Sequence, residues 1–163
     1  MPMAPSMQAP APGRRLQRAA AGLALVALSA LASVCAAAPT PEGLWKTVDD
    51  DSGQARSWIR IRGAGGEFSG RIEKVLDADA KPGDVCEACT DERRNQPIVG
   101  LEIIRKARPD PKDPTAFEGG NILDPEDGKV YRLLLRLEDG GKRLQVRGYW
   151  GPFYRTQVWL RLE

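Results

Sequence analysis

The pattern in this chain with the most chemical potential is Cys86-Glu87-Ala88-Cys89, two thiols two residues apart. Four states are open to such a pair: a small-ring disulfide, a redox-active dithiol, part of a zinc site, or free thiols. Redox work needs a thiolate stabilised at a helix N-terminus on a βαβ scaffold, and this pair sits in an acidic loop of a chain without helical patterning. Zinc needs four ligands and finds two thiolates and no imidazole, because the chain has no histidine. In an exported chain the disulfide is the reading that fits best.

The missing histidine also excludes Ser-His-Asp and Cys-His nucleophiles, haem on a proximal histidine and a histidine pH switch. Carboxylates remain. Asp49-Asp50-Asp51 and Asp124 with Glu126 and Asp127 could in principle supply a hydrolase pair. Both clusters fall where turns are expected, without the apolar surroundings that raise a carboxyl pKa for acid catalysis. Neither has the spacing of an EF-hand loop. The residues name no reaction, no cofactor and no metal, and they point away from an enzyme.

Which elements would position these residues depends first on what is removed. Arg14, Arg15 and Arg18 precede an uncharged run from Ala19 to Ala32, followed by Ser33-Val34-Cys35-Ala36-Ala37-Ala38. That is the plan of a secretory signal, with cleavage expected after Ala36 or Ala37. An uncleaved anchor, or a lipoprotein acylated at Cys35, are the alternatives. Residues 1–37 hold three arginines and no acid, so their removal takes the formal charge from +2 to −1. A balanced chain of that kind carries no electrostatic footprint for nucleic acid or an anionic membrane. The expectation is a periplasmic or secreted protein, with a signal at 1–37 and one domain at 38–163, and no membrane span after cleavage.

Within 38–163 the apolar pattern has period two, broken by Gly, Pro, Asn and Asp clusters. It predicts strands at 43–48, 56–62, 67–75, 97–106, 116–123, 129–137, 142–149 and 155–162. Ser57, Ile59 and Ile61 oppose Arg56, Trp58, Arg60 and Arg62, and Tyr131, Leu133, Leu135 and Leu137 oppose Arg132, Leu134 and Arg136. One face is dry and the other largely wet. Short turns make successive strands antiparallel neighbours, and Gly70, Gly100 and Gly148 inside strands favour a coiled, closed sheet. The fold class is all-β, an antiparallel up-and-down barrel of about eight strands. Such a barrel is either filled by side chains or holds one small ligand. Two longer connections stand out: the Cys-bearing loop at 76–96, read as a flap over one barrel mouth, and the proline-spaced connector from Arg108 to Pro114.

Several segments together carry a family resemblance. Gly43-Leu44-Trp45-Lys46-Thr47, the Cys86/Cys89 loop running into Gln96-Pro97-Ile98-Val99-Gly100-Leu101, Gly119-Gly120-Asn121-Ile122-Leu123-Asp124-Pro125 and Leu144-Gln145-Val146-Arg147-Gly148-Tyr149 are four of them. With Arg155 to Arg161 they resemble the DUF2147 family of uncharacterised exported bacterial proteins. The resemblance implies a lipocalin-like barrel and no assigned activity. Gly43-Leu44-Trp45 is also similar to the G-x-W that opens the lipocalin barrel, where the Trp packs under an Arg of the closing strand. Arg161 matches that Arg, and a guanidinium over an indole contributes about 0.5–2 kcal/mol.

If the barrel holds a guest, aromatic and polar side chains should meet it, and the candidates are Trp58, Asn121, Arg147, Tyr149, Trp150, Tyr154 and Trp159. Gln145, Arg147 and Tyr149 share a face, as do Gln157, Trp159 and Arg161, which reads as one aromatic and cationic surface. Were that surface inward, Arg147 would favour a carboxylate head such as a fatty acid's; were it outward, the Arg stems would simply cover rings. The expected partner is a small, partly apolar ligand. The alternative is a structural or interaction module of the cell envelope whose barrel is filled.

Overall fold

A strand that is apolar on one side is stable only when that side is covered, and eight such strands can cover one another by closing into a ring. The computed structural model describes residues 38–49 and 52–163. The expected signal segment with its cleavage point, and the carboxylates Asp50 and Asp51, lie outside the described residues. Within them run nine strand segments: β1 (Gly43–Val48), β2 (Ala55–Ala64), β3 (Glu67–Val75), β4 (Glu102–Pro109), β5 (Ala116–Glu118), β6 (Asn121–Leu123), β7 (Val130–Glu138), β8 (Arg143–Trp150) and β9 (Phe153–Arg161).

The order runs β3-β2-β1-β9-β8-β7, continues through β5 and β6 to β4, and closes because β4 pairs with β3. β5 and β6 both lie between β4 and β7, so they are two pieces of one stave in an eight-stave antiparallel barrel. The break falls at Gly119-Gly120. A Cβ at residue 120 would lie 2.4 Å from the Arg105 carbonyl oxygen and 2.7 Å from the Ala107 nitrogen. Only glycine lets β4 pass there, where its backbone is kinked at Lys106 (φ 58°).

One stave is displaced from its expected place. The sequence predicts a strand at 97–106, but β4 begins at Glu102 and continues to Pro109. The apolar run before it is a loop: Ile98 donates its N–H to the Asp84 carbonyl, and Gly100, at φ 93°, donates to that of Ile72. Gly100 is therefore not interior to a strand. Ile98 and Leu101 are apolar because they lie beneath the long loop and pack on the core, not because they alternate across a sheet.

Register divides the interior into two halves. At one end, where the β2–β3, β4–β5 and β7–β8 turns gather, side chains fill the barrel. Trp45, Ile61, Ile104, Leu135 and Leu144 are buried there. Phe68 meets Phe117 edge to face, with centroids 5.1 Å apart. The seam between β1 and β9 is short, with Trp45 opposite Arg161 and Lys46 opposite Leu160. At the other end stand the β1–β2, β3–β4, β6–β7 and β8–β9 connections, and there a cavity opens over the core residues Ile59, Ile72, Val146 and Trp159, themselves buried.

Candidate functional site

The hollow end is a cavity of about 720 Å³, within the range of about 300–1,000 Å³ usual for small-molecule sites. Its walls follow from the alternation. Ile59 on β2, Ile72 on β3, Ile122 on β6, Val146 on β8 and Trp159 on β9 all face it. A few polar groups interrupt the apolar wall. Thr47 and Ser57 share a hydroxyl hydrogen bond of 2.8 Å, and the Trp159 indole N–H donates to Gln157 at 3.3 Å. The mouth, by contrast, is charged.

Arg56, at the start of β2, organises that mouth. Its guanidinium lies 3.7 Å from Asp49, 3.0 Å from Asp77 and 2.5 Å from Glu126, which belong to three different loops. The hydrogen bond to Asp77 raises the Arg56 pKa, while the N–H of Asp79 and then Arg56 lower that of Asp77. Tyr131 donates its hydroxyl to Asp127 at 2.7 Å, which pushes the phenol up to about 12. Burial pushes the Asp127 carboxyl up, yet the donors at Lys129 and Tyr131 leave it lowered overall.

Among the described residues, each carboxyl with a displaced pKa is displaced downward: Glu73, Asp77, Asp91, Glu92, Asp113 and Asp127. None is tuned to hold a proton for acid catalysis near neutral pH. The acids of the 124–127 turn serve the turn itself, Asp124 accepting the N–H of Glu126 and Asp127 that of Lys129. Among the described residues no cluster of three or more potential ligands could hold a metal ion.

The Cys-bearing loop lines one side of the mouth through Asp77, Asp79, Ala80 and Asp84. Cys86 and Cys89 form a disulfide and are both buried. A Cβ at Gly128 would lie 1.9 Å from the Ala88 carbonyl oxygen, so the disulfide turn is seated on the β6–β7 turn at a distance only glycine permits. Further along, the buried Arg93 grips Asp91 through several contacts and donates to the Glu102 carbonyl at 3.0 Å. That grip holds the Asp91 carboxyl down at about 2. Replacing Cys86 and Cys89 together with Ala is expected to cost about 2 kcal/mol, the loop-closure entropy of so small a ring. Urea unfolding of the two proteins measures it.

Of the sequence candidates, the structure brings Trp150, Tyr154 and Trp159 to the cavity. Trp159 lies in the wall and Trp150 stands at the rim, 67% exposed, while Tyr154, at the hairpin tip opposite Tyr149, turns its ring to the outer face. The other four face outward. Trp58 lies opposite Lys46 and Lys74, with the Lys74 ammonium 4.9 Å from its ring. Asn121 lies opposite Arg105 and Arg132, its Oδ1 covered and without a hydrogen-bond donor. Arg147 bonds Thr156 at 2.8 Å and covers the Tyr154 ring at 4.5 Å, and Arg132 covers Tyr149 at 4.6 Å.

The expected single aromatic and cationic surface is therefore corrected. Arg147 pairs with Thr156 and Val146 with Gln157, so Arg147 and Tyr149 lie on the face opposite Gln157, Trp159 and Arg161. Offset by one residue, every side chain changes face. Arg147→Ala with Tyr149→Ala is accordingly expected to leave ligand affinity within about twofold, read by probe titration. Sequence reasoning passed over Arg56, Tyr131 and Arg155, which line the cavity. For Arg155 a signal was present, its even spacing from Gln157 and Trp159.

Comparison with known proteins adds the family and the fold. The family model described as "Uncharacterized protein conserved in bacteria (DUF2147)" matches residues 43–161. Protein HP1028 from the human pathogen Helicobacter pylori, whose title places it in the lipocalin family, superposes with a TM-score of 0.64 at 19% sequence identity. The match covers 77% of this chain and 84% of that one; at that identity it shows the fold alone. No curated protein sequence matches the chain. With its whole barrel, from the first strand to the last, inside the matched span, the chain belongs to the DUF2147 family and has a lipocalin-like barrel.

Proposed function

We propose that this protein is a non-catalytic carrier or receptor that binds one small, partly apolar molecule inside its barrel, outside the cytoplasm. One observation carries the reading: the barrel is packed at one end and holds at the other a cavity of about 720 Å³, walled by Ile, Val and Trp beneath a mouth of charged and aromatic residues. Apolar walls supply affinity through the area they remove from water, and sparse polar groups orient the guest. The lipocalin-like fold is in keeping with such a role. Residues 1–37 read as a secretory signal, and a disulfide suits an oxidising compartment.

The finer expectation of a carboxylate head held by Arg147 loses its basis, because that guanidinium faces away from the cavity. The alternative of an envelope interaction module with a filled barrel suits only the packed half. Titration with N-phenyl-1-naphthylamine tests the reading. A saturable, one-site rise in probe emission is expected, and a linear, unsaturable rise contradicts it.

A further inference from the structure

The geometry points to a ligand with a cationic head, an amine or quaternary ammonium whose apolar body lies in the barrel. This inference rests on the cavity being a ligand site, and the charge of its mouth then selects among guests. Among the described residues that line it are the carboxylates of Asp77, Asp79, Asp84, Asp124, Glu126 and Asp127, against the guanidiniums of Arg56 and Arg155. Six acidic residues stand against two basic ones in that lining. Arg56 is already in contact with Asp49, Asp77 and Glu126. Lys129, outside the lining, offsets Asp127 at 3.2 Å, and an excess of negative charge still remains.

A passage lined by one sign of charge over apolar walls concentrates the opposite sign and repels its own. An anionic amphiphile would have to hold its head in that field, whereas a cationic one is drawn to it. The rim adds a second, independent preference. Trp150 and Phe153 stand 67% and 69% exposed at the mouth, and aromatic faces attract cations. One of the chain's own cations already uses such a face: the Lys129 ammonium lies 6.0 Å from the Trp150 ring. An ammonium at the mouth would meet carboxylates from the 77–84 and 124–127 loops on one side and this aromatic hairpin tip on the other.

Three competitors sharing one tail test the inference: decylammonium, decanol and decanoate. Each is titrated against bound N-phenyl-1-naphthylamine below its micelle or solubility limit, at pH 7 and low salt. Decylammonium is expected to displace the probe at a concentration at least tenfold below decanoate, with decanol between them. The gap should narrow severalfold in 0.5 M sodium chloride, and also in the Asp79→Asn, Asp124→Asn variant. Displacement by decanoate at equal or lower concentration would overturn the cationic head while leaving the cavity reading intact. A gap unmoved by salt and by the variant would overturn the role given to the carboxylates. Failure of all three to displace the probe would overturn the cavity reading, and the inference with it.

Discussion

Trp45→Ala is expected to destabilise the protein by about 3–5 kcal/mol, the range for deleting a fully buried large aromatic, read as a lower urea midpoint at unchanged slope. The indole is 0% exposed, its N–H donates to the Pro41 carbonyl at 2.8 Å, and the Arg161 guanidinium lies 4.2 Å above it. Arg161 in turn donates to the carbonyls of Gly141, Glu42 and Thr40. One residue pair therefore anchors the N-terminal approach, the β7–β8 turn and the last strand where the β1–β9 seam has only two register pairs. Burial alone lowers the Arg161 pKa, which marks a guanidinium held by carbonyls and a ring. Arg161→Lys keeps the charge but not the planar fork that reaches three acceptors, so it too is expected to lose stability. If Trp45→Ala costs less than about 1 kcal/mol, as surface positions do, this end of the barrel is not the packed one.

The second large effect concerns the open end. Val146→Trp is expected to weaken probe binding at least tenfold while changing stability by less than about 1.5 kcal/mol. Val146 faces the cavity between Leu135 of β7 and Gln157 of β9. In a close-packed interior an added indole forces neighbours off their rotamers and costs about 1–3 kcal/mol. Val146 is buried at the floor of the cavity, and the added indole would project past it into space that a ligand would occupy. The pairing of a small stability change with a large affinity loss is the signature of a hollow, and circular dichroism melts beside probe titration would measure both. A destabilised variant that still binds normally would place the guest elsewhere.

Much of this was legible in the sequence because period-two alternation and Gly/Asp turns are local signals. Tyr131, Leu133, Leu135 and Leu137 announce an inward face wherever β7 is placed, and the glycine-rich turns place its neighbours beside it. The Trp45–Arg161 contact was foreseeable by another route, the resemblance of Gly43-Leu44-Trp45 to the G-x-W that opens the lipocalin barrel. What failed was the relative facing of two correctly identified strands. Ending β8 at residue 149 and starting β9 at 155 leaves the parity of the hairpin open. The true turn is two residues, Gly151-Pro152, with Trp150 opposite Phe153 and Gly151 at φ 55°. Pairing across it sets odd positions of β8 beside even positions of β9, so Arg147 turns out and Arg155 turns in.

The mouth was less legible for a different reason. Arg56 contacts carboxylates at positions 49, 77 and 126, which no local pattern connects. The Asp124, Glu126 and Asp127 cluster was rightly read as turn chemistry, yet its place on the cavity rim depends on which turns share an end of the barrel. That is a property of the closed topology and not of any one segment.

Native mass spectrometry of the protein purified from cells that naturally make it, under conditions that preserve non-covalent complexes, tests the central claim most directly. A population heavier than the polypeptide by the mass of one small molecule is expected, released as an intact species by organic solvent. A spectrum showing only the bare polypeptide, unchanged after incubation with a lipid extract of the same cells, would contradict it.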